Sequence, residues 1–180
     1  MDYRHLLQGC LSNDRIAQTE LYDRYVDILG NTSLRYASSK ESAKDILQEA
    51  FIKIFKNLRP KYHDEAHFEA WMKRIVINTA LNQHRSEMTY RDSLLNGVHN
   101  FNQRQSVLNI NNAKLLLEIK KLPLIYQHCI NLIIVDDYSH KEAAEILQIE
   151  ESSSRARYSR AISMLRNQLS TNKEIKCDGR

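Results

Sequence analysis

Four glycines and two prolines in 180 residues leave this chain very short of turn-formers. A sandwich or barrel made of many short strands needs such residues at each reversal, so that class is excluded and helices remain. Hydrophobic residues at 42% and charged residues at 27% match ordinary globular usage, which argues against wholesale disorder. The length suits one medium domain or two small ones. The fold class expected is all-α.

Periodicity divides the chain in two. Ala43, Ile46, Leu47, Ala50, Phe51, Ile54, Phe55 and Leu58 recur at helical intervals and trace one face of a helix. Ser38 with Glu41 reads as its capping box, and Pro60 as its stop. A further helix follows Asp64 and carries Trp71, Ile75 and Leu81; one upstream carries Ile16, Leu21, Tyr22, Tyr25, Ile28 and Leu29. From Glu87 to Asn111 the stripe fails: Asn96, Asn100, Asn102, Asn109, Asn111 and Gly97 dominate. A stretch with so little to bury does not offset the entropy of ordering. The organisation expected is a bundle at 1–86, a flexible linker at 87–111, a second helical domain at 112–171 and a polar tail at 172–180.

Periodicity returns with Leu115, Leu116 and Ile119, then Ile125, Cys129, Leu132 and Ile133, with Pro123 in a first helical turn. Ser139 and Glu142 form a second capping box, opening Ala143, Ala144, Ile146 and Leu147. After a break at Gln148–Glu150, Tyr158, Ile162, Leu165 and Leu169 point inward from a last helix. Two short helices across a tight turn make a helix-turn-helix pattern. Residues 141–150 carry a net charge of −2 and residues 151–166 a net +3, so the second helix is the one suited to a DNA groove. Ser153, Ser154 and Arg157 are expected on its outward face. Arginine there pairs bidentately with guanine, while Arg155 and Arg160 suit phosphates.

Cys10, Cys129 and Cys177 are odd in number and widely spaced, against a disulfide framework or zinc knuckle. The first residues lack the apolar core of a signal peptide, and no apolar run approaches membrane-spanning length. A soluble protein of a reducing cytoplasm is expected.

Two stretches are specific. Asp45-Ile-Leu-Gln-Glu-Ala-Phe-Ile-Lys-Ile-Phe-Lys-Asn-Leu58 with Phe68-Glu-Ala-Trp-Met-Lys-Arg-Ile-Val-Ile-Asn-Thr-Ala-Leu-Asn82 closely resembles region 2 of bacterial sigma factors. Leu122-Pro-Leu-Ile-Tyr-Gln, Tyr138-Ser-His-Lys-Glu-Ala-Ala-Glu-Ile-Leu147 and Ser159-Arg-Ala161 resemble their region 4. Two such regions separated only by a linker are similar to the extracytoplasmic-function group, and the resemblance covers nearly the whole chain.

The resemblance implies a promoter-specificity subunit without enzymatic chemistry, cofactor, metal or small-molecule substrate. Its implied partners are core RNA polymerase, through the β′ clamp helices and the β flap, promoter DNA, and an anti-sigma factor that could hold it at the inner membrane. Asp45, Gln48, Glu49, Lys53 and Lys56 would face polymerase. Asn78 and Asn82 would read an unpaired base of the −10 element, Lys73, Arg74 and Arg85 would hold the strand, and Trp71 would pack or stack on a base. The loop around Lys61–His67 would complete the base pocket. Ser153, Ser154, Arg155, Arg157 and Arg160 would read the −35 duplex.

Rival readings are a ligand-sensing helix-turn-helix regulator and a metal-dependent hydrolase built on His63 and His67. The histidine pair lacks the HExxH pattern and an evident third ligand. Asp136-Asp137, just ahead of a helix cap, reads as a turn. Two departures from the family pattern stand out: Gln148 occupies a turn position usually held by glycine, and Ser154 one usually apolar.

Overall fold

The computed structural model describes residues 3–59, 64–94 and 110–174, and the regular structure among them is helical. The chain divides into two compact units between His99 and Asn100.

The first unit opens with α1, Tyr3–Leu11, which the sequence reading did not anticipate. Tyr3, Leu6, Leu7 and Cys10 form its buried side. It ends in left-handed Asn13, φ 58°, with Asp14 N–H donating to the Gly9 carbonyl at 2.9 Å and Asn13 N–H to Cys10 at 3.1 Å. These are the paired bonds of a Schellman cap. Asp14 then caps α2, Arg15–Tyr36, by accepting from the Ile16 N–H. At Gly9 the two helices meet so closely that a Cβ would lie 2.6 Å from that of Ala17.

On α2, Leu21, Tyr25 and Leu29 are buried. Ile16, expected on the same apolar face, is 72% exposed, and Tyr22 and Ile28 also reach solvent. Helix α3, Lys40–Asn57, is capped by Ser39, whose hydroxyl accepts from the Ser42 N–H. The predicted cap, Ser38, is thus one residue early. Ala43, Ile46, Ala50, Phe51 and Ile54 are buried as the spacing requires. The helix stops at Asn57, before Pro60, which lies outside the described residues.

Helix α4, Glu65–Leu94, starts at Asp64. That carboxylate accepts from the Ala66 N–H at 2.8 Å and contacts His67 Nδ1 at 2.9 Å; the backbone bond, then the histidine, holds its carboxyl below the usual range. The helix continues through residues read from sequence as linker; 95–109 lie outside the described residues. Phe68 is fully buried against Tyr3 and Tyr25, both at 5.9 Å between ring centres. Tyr25 Oη donates to Glu65 at 2.8 Å, and Arg24 pairs with the same carboxylate at 2.7 Å, tying α2 to the head of α4. Farther along, His84 Nε2 donates to the Tyr36 carbonyl at 2.6 Å, filling one of the acceptors left open at the end of α2.

The second unit comprises α5, Ile110–Lys120, α6, Leu124–Ile130, a π-helical turn at Asn131–Val135, α7, His140–Leu147, and α8, Glu151–Glu174. Ile119, Leu122, Ile130, Ala161 and Leu165 make its core, with Tyr158 and Ile162 packed against it. Pro123 is the residue before α6, one position ahead of the predicted first turn. The π turn closes through Asp136 N–H to the Asn131 carbonyl at 2.9 Å. Asp137 is left-handed, at φ 57°, and the Tyr138 N–H returns to the Leu132 carbonyl at 2.9 Å, so the paired aspartates end the helical segment in a bend. Helix α8 extends past Thr171, where a frayed tail was expected, and 175–180 lie outside the described residues.

Cys10 and Cys129 are buried free thiols; Cys177 is outside the described residues. Among those residues, no helix is long and apolar enough to cross a membrane.

Candidate nucleic-acid interface

The exposed side of α4 carries most of the residues expected to read a strand. Trp71, Arg74, Asn78, Asn82 and Arg85 follow at spacings of three, four, four and three, which keeps them on one side of a helix. They span about 21 Å at about 1.5 Å per residue. The opposite side, with Phe68, Met72, Val76, Ile77, Ala80 and Leu81, is core, so this face cannot turn inward. Arg74, Asn78 and Asn82 are exposed.

Arg85 Nη1 donates to Asn82 Oδ1 at 2.8 Å, leaving the amide nitrogen of Asn82 as the outward donor. Trp71 is half-buried and stacks on Phe68 at 5.6 Å and 27°, so packing fixes its ring while part of it reaches solvent. Lys73 does not join this row. It lies three and four residues from buried Val76 and Ile77, on the opposite side, half-buried and paired to Glu69 at 2.6 Å, so the expectation that it holds the strand is corrected.

Of the expected pocket loop, residues 60–63, and with them Lys61 and His63, are outside the described residues. His67 is exposed and engaged with Asp64. No group of three His, Cys, Asp or Glu side chains suited to a metal occurs among the described residues.

On α3, Asp45, Gln48, Glu49 and Lys56 are exposed together. Lys53 departs from that expectation. Its ammonium turns to the flank, donating to Thr79 Oγ1 of α4 at 3.2 Å and pairing with Glu49 at 2.6 Å. A long aliphatic stem lets lysine run along an apolar seam with its charge at the edge. The sequence reading missed Ile52, which is 50% exposed and lies four residues from both Gln48 and Lys56. Its signal was a large apolar residue on the polar side of an otherwise regular stripe.

At the head of α7 the expected capping box is present: Ser139 Oγ accepts from the Glu142 N–H while the Glu142 carboxylate accepts from the Ser139 N–H. Gln148 closes α7 in the left-handed region, φ 57° and ψ 48°. Its N–H reaches Glu145 at 3.3 Å and the Ile149 N–H reaches Ala144 at 3.0 Å, again the Schellman pair.

On α8, Ser153, Arg157 and Arg160 are spaced by four and three and share a flank. Ser154 does not join them. It is 0% exposed, with its hydroxyl 3.1 Å from His140 Nδ1, so the expectation that it contacts DNA is corrected. Its position falls on the Tyr158–Ala161–Leu165 side, and the partner for its hydroxyl comes from α7. Arg155 projects from the other flank, where its Nη2 is 2.6 Å from Glu151. Any role for it at phosphates begins from that surface ion pair. Arg157 lies near enough to Cys129 for its charge to oppose part of the rise that burial imposes on the thiol.

Comparison with known proteins gives two family matches, sigma-70 region 2 over residues 21–89 and sigma-70 region 4 over residues 112–165. The ECF RNA polymerase sigma-E factor of Haemophilus influenzae is 25% identical over 178 residues, covering 91% of this chain and 93% of that protein. The ECF sigma factor SigW of Bacillus subtilis is 27% identical over 171 residues, covering 87% and 90%. Among solved structures, the sigma factor RpoE of Bartonella quintana, in complex with the anti-sigma factor NepR, aligns with a TM-score of 0.56 at 19% identity, over 84% of this chain and 96% of that one. CnrH in complex with the cytosolic domain of CnrY gives 0.52 at 19% identity, over 93% and 97%. At that identity the two structures speak to the fold.

Proposed function

The chain belongs to the extracytoplasmic-function group of bacterial RNA polymerase sigma factors, and from that premise we propose how its faces divide the work of promoter recognition. The outer side of α3, with Asp45, Gln48, Glu49, Ile52 and Lys56, docks on the β′ clamp helices of core polymerase, and the second unit engages the β flap. The Trp71–Arg85 side of α4 takes the melted −10 strand. The Ser153–Arg157–Arg160 flank of α8 reads the −35 duplex.

The observation that carries this reading is the α4 row. Two amides able to donate and accept sit between Arg74 and Arg85, with a partly exposed indole at one end. Extruding a base from a duplex costs a few kcal/mol; stacking returns about 1–3 kcal/mol per base, and amide contacts to the base edge add selectivity. The arginines contribute sequence-independent attraction that weakens steeply with salt. The match of both units to sigma regions disfavours a ligand-sensing regulator.

An anti-sigma partner belongs to the same proposal. It is supported by the Bartonella quintana relative, whose structure was determined with one. Acting on polymerase and promoter DNA, the protein works in the cytoplasm, free or held at the inner membrane by that partner.

Run-off transcription with core RNA polymerase on a pooled promoter library, with and without this protein, tests the function. New transcripts sharing two spaced upstream elements are expected. Failure to bind core polymerase would overturn the assignment of the docking face.

A further inference from the structure

Three helices meet at Ser154. Its hydroxyl bonds to His140, the first residue of α7, and its carbonyl accepts from Cys129 Sγ of α6 at 3.5 Å. His140 also sets its ring edge-on to Tyr158, 5.3 Å between centres at 85°. Tyr158 is one turn beyond Ser154, so a single side chain of α7 touches two successive residues of one ridge on α8.

Besides Ser154, the buried residues of these two helices include Ala143, Ala144, Ile146, Ala161 and Leu165. Their attraction is non-directional and holds the rotation of α8 about its axis only through the fit of shapes. A hydrogen bond is directional and adds a specific register. The contact suits either neutral form of the imidazole, since Nδ1 accepts from the hydroxyl when bare and donates to it when protonated.

Rotation of α8 matters because Ser153 precedes Ser154 directly and Arg157 and Arg160 follow it on the flank described above. Turning the helix by about 20° moves a side chain at about 6 Å from the axis by about 2 Å. Recognition constellations tolerate only about 0.5 Å and 10–20°.

We propose that Ser154, through its hydrogen bond to His140, is a positioning residue that sets the rotation of α8 and thereby the base preference of Ser153 and Arg157. This rests on the reading of α8 as the −35 helix. Ser154 touches no DNA; it acts through the residues on either side of it.

The test uses the full chain in complex with core RNA polymerase and a randomised duplex library as probe. The quantity read is the affinity for the wild-type-selected duplex divided by that for the unselected pool. Ser154→Ala and His140→Phe are expected to lower this ratio about fivefold while pool affinity stays within about twofold. The double variant should lose no more than either single one, as expected for partners in one contact. His140→Asn, whose amide places a polar atom near the position of Nδ1, should keep the wild-type ratio.

An unchanged ratio in folded Ser154→Ala or His140→Phe would overturn the proposal. So would parallel loss of selected and pool affinity, the signature of a damaged domain, or failure of His140→Asn to restore the ratio. If the wild-type complex enriches no duplex at all, the −35 assignment of α8 fails instead, and the positioning role with it. Should Ser154→Ala not fold, the contrast between His140→Phe and His140→Asn decides.

Discussion

Gln148→Gly should stabilise the second unit. Gln148 holds φ 57° and ψ 48°, where a side chain brings Cβ against the following carbonyl at a cost of about 1–2 kcal/mol. Glycine escapes that cost but has more freedom to lose on folding, about 0.4–1 kcal/mol. The side chain is exposed, and the two cap bonds use main-chain N–H groups, so removing it sacrifices neither. The net gain is about 0.5–1 kcal/mol, or about 2–8 °C for a unit of this size. Differential scanning calorimetry on the full chain reads the rise in whichever transition belongs to the second unit. Gln148→Val supplies the opposite sign, because a β-branched residue fits the left-handed region worst. Both variants keep the turn between α7 and α8 where they fold, so selected-duplex affinity should follow the folded fraction alone. A Gln148→Gly protein that melts at or below the wild-type temperature would refute the reasoning: either the turn is not left-handed, or strain there is relieved by something other than the backbone.

Arg157→Ala should relax base preference in the −35 element by about tenfold, the lower part of the 1–3 kcal/mol range for a bidentate base contact, with core binding unchanged; an equal loss across all duplexes would instead mark Arg157 as a phosphate contact. Asn78→Ala or Asn82→Ala should slow strand opening, followed by fluorescence of a base analogue in the −10 element, more than duplex docking; wild-type opening rates in both would remove the amides from the pocket. Ile52→Asp should weaken polymerase binding about tenfold, since the exposed half of an isoleucine is worth about 1–1.5 kcal/mol on burial, and an unchanged Kd would take Ile52 out of the docking face. Burial, then Asp14 and Glu20, pushes the Cys10 thiol up to about 11. Its contribution to stability is therefore complete below the ordinary thiol value near 9 and is lost as pH rises through about 11. Denaturant midpoints measured from pH 8 to pH 11 should fall more steeply for the wild type than for Cys10→Ala, and equal slopes would contradict the burial of the thiol.

Features written in neighbouring residues were legible beforehand. The core side of α3, the Ser139–Glu142 cap and the adjacency of Asn78 and Asn82 all follow from spacings of three or four, because one turn of helix sets them. The motifs resembling sigma regions 2 and 4 added function. Helix α1 also carries a helical stripe, Tyr3, Leu6, Leu7 and Cys10, spaced by three, one and three. The Ser38–Ser39 ambiguity is of another kind: two serines offer the same cap, and the backbone geometry that selects Ser39 has no counterpart in residue type.

By itself, then, the sequence determined an all-α chain of two helical regions and the inward side of most of its helices, since each of these is a sum of local preferences repeated along a helix; the family came separately, from the resemblance of its motifs. Tertiary structure alone decided where the exceptions go. Ser154 reads as a surface residue until His140, fourteen positions away, gives its hydroxyl a half-buried partner. Lys53 reads as a docking charge until Thr79 of α4 draws it aside. Ile16 reads as core, yet no neighbouring helix covers it. In each case the deciding energy is a contact between elements, and polarity and spacing along one helix carry no record of which side chain another helix will bring.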